Sequence, residues 1–182
     1  MAQPMIDKRT RFETEVVPHL DAAYSLARWL VRDEHVAEDI VQDAFLRAFQ
    51  YFGRFRGDAA KPWLLGIVRN VCYTWFAQNK RALEWVSPQE DAALEAPCLD
   101  HHGDRQTPET VLAQTVQRAM VNAAIVALPV PFREVLVLRE LEELSYEDIA
   151  RISHIPLGTV MSRLSRARAL LRKTLSSLQS TS

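Results

Sequence analysis

The sequence has few cysteines and no long hydrophobic run. Cys72 and Cys98 are the only two cysteines in 182 residues and lie far apart, so neither a disulfide framework nor a CxxC metal knuckle is indicated. No apolar run approaches the roughly 20 residues that a membrane span requires, and no secretory hydrophobic segment follows Met1. These absences predict a cytoplasmic protein.

The motifs of common enzyme classes are also missing. There is no glycine-rich phosphate loop, no HExxH pair, and no Ser–His–Asp set with a scaffold to hold it. We therefore expect a non-enzymatic protein without a cofactor or a small-molecule substrate. Hydrophobic residues make up 48% of the chain, which is enough to bury the core of one domain or of two small ones.

The net charge of −1 hides two basic segments separated by an acidic one. Residues 51–81 are basic, residues 83–127 are acidic, and the chain after 157 has no acidic residue. Two separate electropositive surfaces can bind DNA locally even when the whole chain carries no positive charge.

Helical patterns with little β-branched alternation predict an all-α protein. A polar linker that contains two prolines divides the chain into two small helical domains. We place the domains at residues 1–82 and 108–182 and the flexible, acidic linker at residues 83–107.

Residues 144–173 have the pattern of a helix-turn-helix. Ser145 is predicted to cap its first helix, and His154-Ile-Pro forms the turn. The second helix begins at Gly158 or Thr159 and buries one stripe of apolar residues: Val160, Leu164, Ala167 and Leu171. The opposite side carries Ser162, Ser165 and Arg166, with Arg163 and Arg168 beside the stripe. This pattern is typical of a helix that enters a DNA groove, and the alternative is a solvated basic face.

Two N-terminal helices have informative polar sides. In residues 33–50 the buried side is Ala37, Ile40, Val41, Ala44 and Ala48, and the opposite side is Asp39, Gln42, Asp43, Leu46 and Phe49. Large apolar groups beside carboxylates indicate a protein interface, unless Leu46 and Phe49 pack within their own domain.

The next helix begins near Pro62 and is expected to bury Leu64, Ile67, Val68, Val71 and Trp75. Its other side carries Arg69, Asn70, Tyr73, Phe76 and Lys80, and a loop with two glycines, Arg54, Phe55 and Arg56 precedes it. Cations interleaved with aromatic rings are suited to single-stranded DNA, whose phosphates need charge and whose bases need a stacking surface. The alternative for Tyr73 and Phe76 is core packing.

Two sets of motifs in series resemble the extracytoplasmic-function sigma factors. Residues 33–49, the Phe-Arg-Gly-Asp at 55–58 and residues 63–70 are similar to region two of that family. Leu128-Pro, the Arg-Glu-Val-Leu at 133–136, residues 144–150 and residues 158–168 are similar to region four. His154 stands in place of the usual turn glycine, and Glu142-Glu143 in place of a more usual Glu-Gly. Histidine tolerates a left-handed backbone, so the turn is expected to survive.

The resemblance implies a role for each surface. A docking face (Asp39, Gln42, Asp43, Leu46 and Phe49) would bind the clamp helices of the polymerase β′ subunit. A melting face (Arg54, Phe55, Arg56, Lys61, Arg69, Asn70, Tyr73, Phe76 and Lys80) would read and open the minus-ten element. A recognition face (Thr159, Ser162, Arg163, Ser165, Arg166 and Arg168) would read the minus-thirty-five element, while another surface of region four meets the β flap. An anti-sigma protein, often membrane-anchored, is also implied.

The residues also bear on a metal site and on two other functions. Cys98, His101, His102 and Asp104 are metal-ligand types, but their spacing matches no closed site, so no metal is expected. A dimeric, ligand-sensing helix-turn-helix regulator is the strongest alternative function, although the second basic patch disfavours it. The basic helix also disfavours an adaptor that binds only polymerase.

Overall fold

The computed structural model describes residues 8–57, 59–79 and 108–179. All regular elements within these ranges are helical, which confirms the predicted all-α class. In chain order the α-helices are α1 (Lys8–Glu15), α2 (Leu20–Val31), α3 (Glu34–Tyr51), α4 (Ala60–Gln78), α5 (Pro108–Val126), α6 (Val130–Leu136), α7 (Tyr146–Ser153) and α8 (Leu157–Gln179).

Helices α2, α3 and α4 pack on one another to form the N-terminal bundle. Helix α3 begins after Asp33, whose Oδ1 accepts a 2.9 Å hydrogen bond from the backbone N–H of Val36. The buried residues of α3 are the five that its apolar spacing predicts. Three of them are alanines with no exposed surface, which allows the neighbouring helices to approach closely.

Helix α4 differs slightly from the prediction. It begins at Ala60, so Pro62 lies in its first turn, where a missing N–H costs no hydrogen bond. Its buried residues are Leu64, Leu65, Val68, Val71 and Cys72, whereas Ile67 and Trp75, predicted to be buried, are only half-buried. The buried stripe of α4 is therefore rotated relative to the predicted one.

The C-terminal unit contains the predicted helix-turn-helix, α7 and α8. Helix α6 continues into a π-helical turn, Val137–Leu141, and Glu143 then adopts a left-handed backbone with φ of 56°. His154 also has a left-handed backbone, with φ of 54°, and this ends α7 as expected. Helix α8 starts at Leu157 and packs its apolar stripe against α6 and α7.

Removing the cap of α7 is expected to destabilise the C-terminal unit. The Oγ of Ser145 accepts a 3.1 Å hydrogen bond from the backbone N–H of Asp148. Ser145→Ala should lower the free energy of unfolding by about 1 kcal/mol, because one N–H of the first turn loses its acceptor. Urea unfolding followed by circular dichroism measures the change. Ser145→Thr, which keeps an acceptor, should recover most of it, and an unchanged midpoint in Ser145→Ala would contradict the capping role.

The two units are packed against each other. Helix α4 contacts α7, and α2 contacts α6, so that one hydrophobic cluster runs through both units. This arrangement brings the melting face of α4 next to the helix-turn-helix, a proximity that the sequence did not predict.

Candidate nucleic-acid and polymerase interfaces

Helix α8 exposes the predicted recognition face. Val160, Leu164 and Ala167 are buried, and this fixes the rotation of the helix about its axis. Ser162, Ser165, Arg166 and Arg168 are consequently exposed, while Thr159 and Arg163 are half-buried. The Oγ of Ser162 donates a 3.1 Å hydrogen bond to the carbonyl of Thr159, a local bond that an external acceptor can replace. The two serine side chains and the side chain of Arg166 therefore face solvent on the same side of the helix.

Arg168 differs from Arg166 in its surroundings. Its Nη2 lies 2.6 Å from Oε1 of Glu140 on the π-helical turn, and this hydrogen bond raises the pKa of the guanidinium. Both side chains are substantially exposed, so water screens the pair and DNA phosphate can compete for Arg168. Its charge lies at the edge of the recognition face, as the sequence predicts.

The docking face on α3 is exposed but not uniform. Leu46 is 65% exposed, with Asp39 and Gln42 beside it, and the ring of Phe49 packs edge-on against Phe12 at 5.2 Å. Asp43 accepts a hydrogen bond from Arg47. Packing within the domain, the alternative to a protein interface, therefore accounts for part of the Phe49 ring but not for Leu46. An isolated, exposed leucine among carboxylates remains available to a partner.

The loop before α4 is anchored by an aromatic cluster. Phe55 stacks on Phe52 at 5.9 Å and contacts Trp63 at 4.7 Å, and only 9% of Phe55 is exposed. The sequence assigns Phe55 to the DNA-contacting surface, but in this structure its ring is part of the core. A Cβ on Gly57 would lie 3.1 Å from this ring, so glycine permits the tight return of the chain. Arg54 and Arg56, on either side of Phe55, are exposed, and the predicted contact of their side chains with DNA remains a prediction.

On α4, the structure differs from the prediction that Arg69 and Tyr73 are open to DNA. Nε of Arg69 lies 2.6 Å from Oε1 of Glu134 in α6, and the Tyr73 hydroxyl donates to the other oxygen of that carboxylate. The guanidinium of Arg69 also lies 4.2 Å from the Tyr73 ring centroid. Burial, followed by the nearby Glu134 charge, raises the pKa of Tyr73, so the phenol stays protonated and donates.

The remaining members of the melting face lie around this contact. Phe76 is half-buried with its ring edge-on to Tyr73 at 5.8 Å, and Asn70 is exposed. Nζ of Lys61 lies 3.0 Å from a carboxylate oxygen of Glu142 and donates to its backbone carbonyl at 2.9 Å. Lys80 lies outside the described residues. The melting face is thus assembled on α4 and its preceding loop, but three of its polar side chains are engaged by the C-terminal unit.

Comparison with known proteins decides the family. Residues 16–82 match the family model for Sigma-70 region 2, and residues 118–171 match that for Sigma-70, region 4. The RNA polymerase sigma-H factor of Pseudomonas aeruginosa is 37% identical over 175 residues, covering 94% of this chain and 89% of the relative. The ECF RNA polymerase sigma-E factor of Escherichia coli (strain K12) is 38% identical over 136 residues, covering 71% and 69%. The chain belongs to the extracytoplasmic-function sigma factors.

Solved structures agree with this assignment. The sigma factor RpoE of Bartonella quintana, solved in complex with the anti-sigma factor NepR, matches with a TM-score of 0.68 and 28% identity, over 91% of this chain and 96% of that one. CnrH, solved in complex with the cytosolic domain of CnrY, shares the fold, with a TM-score of 0.63 and 21% identity over 94% and 91% of the two chains. The family confirms a non-enzymatic transcription initiation factor, and the ligand-sensing regulator is not supported.

A buried arginine of the sigma factor was missed by sequence reasoning. Arg133 donates to the carbonyls of Val126 at 2.6 Å and Leu128 at 3.3 Å in its own unit, and to that of Leu30 in α2 at 3.1 Å. Burial, followed by the charge of Arg32, lowers the pKa of Arg133 to about 10, so it remains charged at neutral pH. This buried cation donates to carbonyls of both units, and its place in the Arg-Glu-Val-Leu motif does not by itself indicate these partners.

The described residues of the sigma factor give little support for a metal site, a reactive thiol or a membrane-spanning helix. Within the described ranges no three His, Cys, Asp or Glu side chains are grouped to hold a metal ion, and the cluster from Cys98 to Asp104 lies outside them. Burial raises the pKa of the Cys72 thiol to about 12, which makes it a core group rather than a nucleophile. None of the described helices combines the length and the apolar character needed to cross a membrane.

Proposed function

We propose that this sigma factor uses four surfaces to direct core RNA polymerase to its promoters. The docking face binds the β′ clamp helices, the melting face opens the minus-ten element, and the recognition face reads the minus-thirty-five element, while region four meets the β flap. The chain acts in the cytoplasm, where polymerase and promoter DNA are found. The boundaries 1–82, 83–107 and 108–182 divide these tasks between two domains and a linker.

The observation that carries this proposal is the composition of α8. Its buried stripe leaves Ser162, Ser165 and Arg166 exposed together, and the helix contains no acidic residue to repel phosphate. Serine hydroxyls and an arginine fork suit the base edges of the major groove, and flanking arginines suit the backbone. An amphipathic helix whose polar face only contacts water would not require base-reading groups in the middle of the face and arginines beside them.

Control by an anti-sigma protein is part of the proposal. Of the two solved structures described above, one contains the anti-sigma factor NepR and the other contains the cytosolic domain of CnrY. A partner anchored in the inner membrane would hold the sigma factor there until released. The polar, proline-containing segment at 83–107 is long enough for the domains to close on an inhibitor or to separate along a promoter.

Substitutions at Arg166 and Arg168 are expected to separate specificity from general affinity. Arg166→Ala should weaken binding of the holoenzyme to the cognate minus-thirty-five sequence by about 1–3 kcal/mol and reduce discrimination between bases, because a guanidinium reads guanine bidentately. Arg168→Ala should weaken binding to every sequence and reduce the salt slope by about one, because it contacts phosphate. Electrophoretic mobility shifts with cognate and scrambled elements, at several salt concentrations, measure both.

Arg172→Ala serves as a matched control, since Arg172 is an exposed arginine further along α8 and outside the recognition face. It should leave base discrimination unchanged. If Arg166→Ala and Arg168→Ala showed the same sequence-independent loss, the assignment of Arg166 to base reading would be wrong.

A further inference from the structure

Glu134 is a fully buried carboxylate at the contact between the two units. It has 0% exposure, and it accepts hydrogen bonds from Arg69 and Tyr73 on α4 and from the Ser153 hydroxyl, at 2.6 Å, on α7. Burying an ionised carboxylate is costly unless charged and neutral donors surround it. Here one donor comes from its own unit and two come from the N-terminal bundle. The bundle therefore supplies most of what makes this buried charge stable.

We propose that Glu134 locks the two units in a closed state in which the melting face cannot bind DNA. The proposal rests on the proposed function of that face. Arg69 and Tyr73 are the groups that would meet a phosphate and a base, and the Glu134 carboxylate holds both. Like a phosphate, this carboxylate offers anionic oxygens to the guanidinium. Glu134 is thus an intramolecular competitor of the DNA strand.

Access to the Tyr73 ring is restricted as well as access to its hydroxyl group, because the residue is half-buried. Arg69 lies over the ring, where its ion pair with Glu134 of the C-terminal unit holds it, and Phe76 packs edge-on beside the ring. A base needs an open ring face to stack. Strand capture therefore requires that the C-terminal unit moves away from α4.

Further contacts across the same boundary support the closed state. Arg133, the neighbour of Glu134, donates to the Leu30 carbonyl, and Lys61 pairs with Glu142. Gly66 of α4 lies against Ile152 of α7 so closely that a Cβ on Gly66 would be 4.0 Å from Cγ1 of Ile152. Polar contacts thus surround an apolar contact between α4 and α7.

Promoter geometry requires the closed state to open. Elements centred near positions −10 and −35 are about 25 base pairs apart, which at 3.4 Å per base pair is roughly 85 Å. A compact body of about 140 residues has a radius of gyration of only about 14 Å, so a diameter of roughly 40 Å. The segment 80–107, fully extended, reaches roughly 95 Å and so allows the required separation.

A disulfide across the boundary tests the proposal without altering either Glu134 or the melting face. Gly66→Cys and Ile152→Cys are combined in a Cys98→Ser background, and buried Cys72 is left in place. We expect mild oxidation of the free protein to form the disulfide. The oxidised protein should bind a single-stranded minus-ten oligonucleotide at least tenfold more weakly than the same protein after reduction. Each single-cysteine variant should be insensitive to the same treatment.

The outcomes separate the lock from the proposed function. Cross-linking needs no DNA, so a folded double variant whose two cysteines are joined neither by mild oxidation nor by a short bismaleimide would overturn the closed state by itself. Equal oligonucleotide binding by oxidised and reduced protein, with the reduced form active in promoter initiation, would overturn the lock and leave the function standing. Loss of binding and initiation in both forms, and in the unsubstituted chain, would refute the proposed melting face and the lock with it.

A second variant addresses Glu134 directly. Glu134→Gln keeps the shape of the side chain and a possible bond to Ser153, but removes the charge that holds Arg69. It should raise the affinity of the free protein for the minus-ten oligonucleotide several-fold. Glu140→Gln removes the same charge nearby and should not, because its partner Arg168 lies on the recognition face. Equal increases in the two variants would mean that overall charge, and not the lock, limits binding.

Discussion

Leu46→Asp is expected to abolish assembly of the holoenzyme. Leu46 is the most exposed large apolar side chain in the described part of the protein, and on docking it would lose its contact with water. An aspartate in its place brings an unpaired charge into a desolvated contact, which costs about 2–5 kcal/mol, or roughly 30-fold to several thousand-fold in affinity. Biolayer interferometry with immobilised core polymerase measures this loss.

Leu20→Asp is the matched control for this experiment. Leu20 is also an exposed leucine, at 45%, but it lies in the first turn of α2, where an acidic residue is favourable to the helix. This variant should bind core polymerase normally. Normal transcription from the Leu46→Asp protein would rule out the docking face as the clamp contact.

Tyr73→Ala combined with Phe76→Ala should abolish strand opening while leaving polymerase binding intact. Base–aromatic stacking contributes about 1–3 kcal/mol per base, so the loss of two rings should reduce open complex at least about 30-fold. Permanganate reactivity of thymines near the start site measures the opening, and mobility shift measures the closed complex.

Tyr73→Phe discriminates stacking from the hydroxyl contact. It keeps the ring but removes the donor to Glu134, so strand opening should persist. Circular dichroism of the double alanine variant provides the remaining check. A loss of helicity there would favour the core-packing interpretation of the two half-buried rings.

The parts of the fold that depend on local periodicity could be predicted from the sequence. All five buried positions of α3 follow from its apolar spacing, because a helix of 3.6 residues per turn places them on one side whatever it packs against. The Ser145 cap and the left-handed His154 also depend only on neighbouring residues. For the same reason Ser162, Ser165 and Arg166 were assigned correctly to the exposed side of α8.

The partners of side chains on the polar faces of the helices could not be predicted in this way. Arg69 and Glu134 are 65 positions apart, and a helical wheel shows only that Arg69 faces away from its own stripe. Phe55 was assigned to the DNA-contacting surface as part of a loop with two glycines and two arginines, whereas packing with Trp63 buries its ring. The left-handed backbone of Glu143 lies where glycine is more usual, and a glutamate by itself does not indicate that conformation.

Run-off transcription with purified core polymerase tests the central claim most directly. A linear template carrying a promoter of the sigma factor should yield one transcript of defined length when this protein is added, and none with core polymerase alone. A ligand-sensing regulator would yield such a transcript only when another sigma factor is supplied. Absence of a promoter-specific transcript, from a protein that binds core polymerase and is fully folded, would contradict the account.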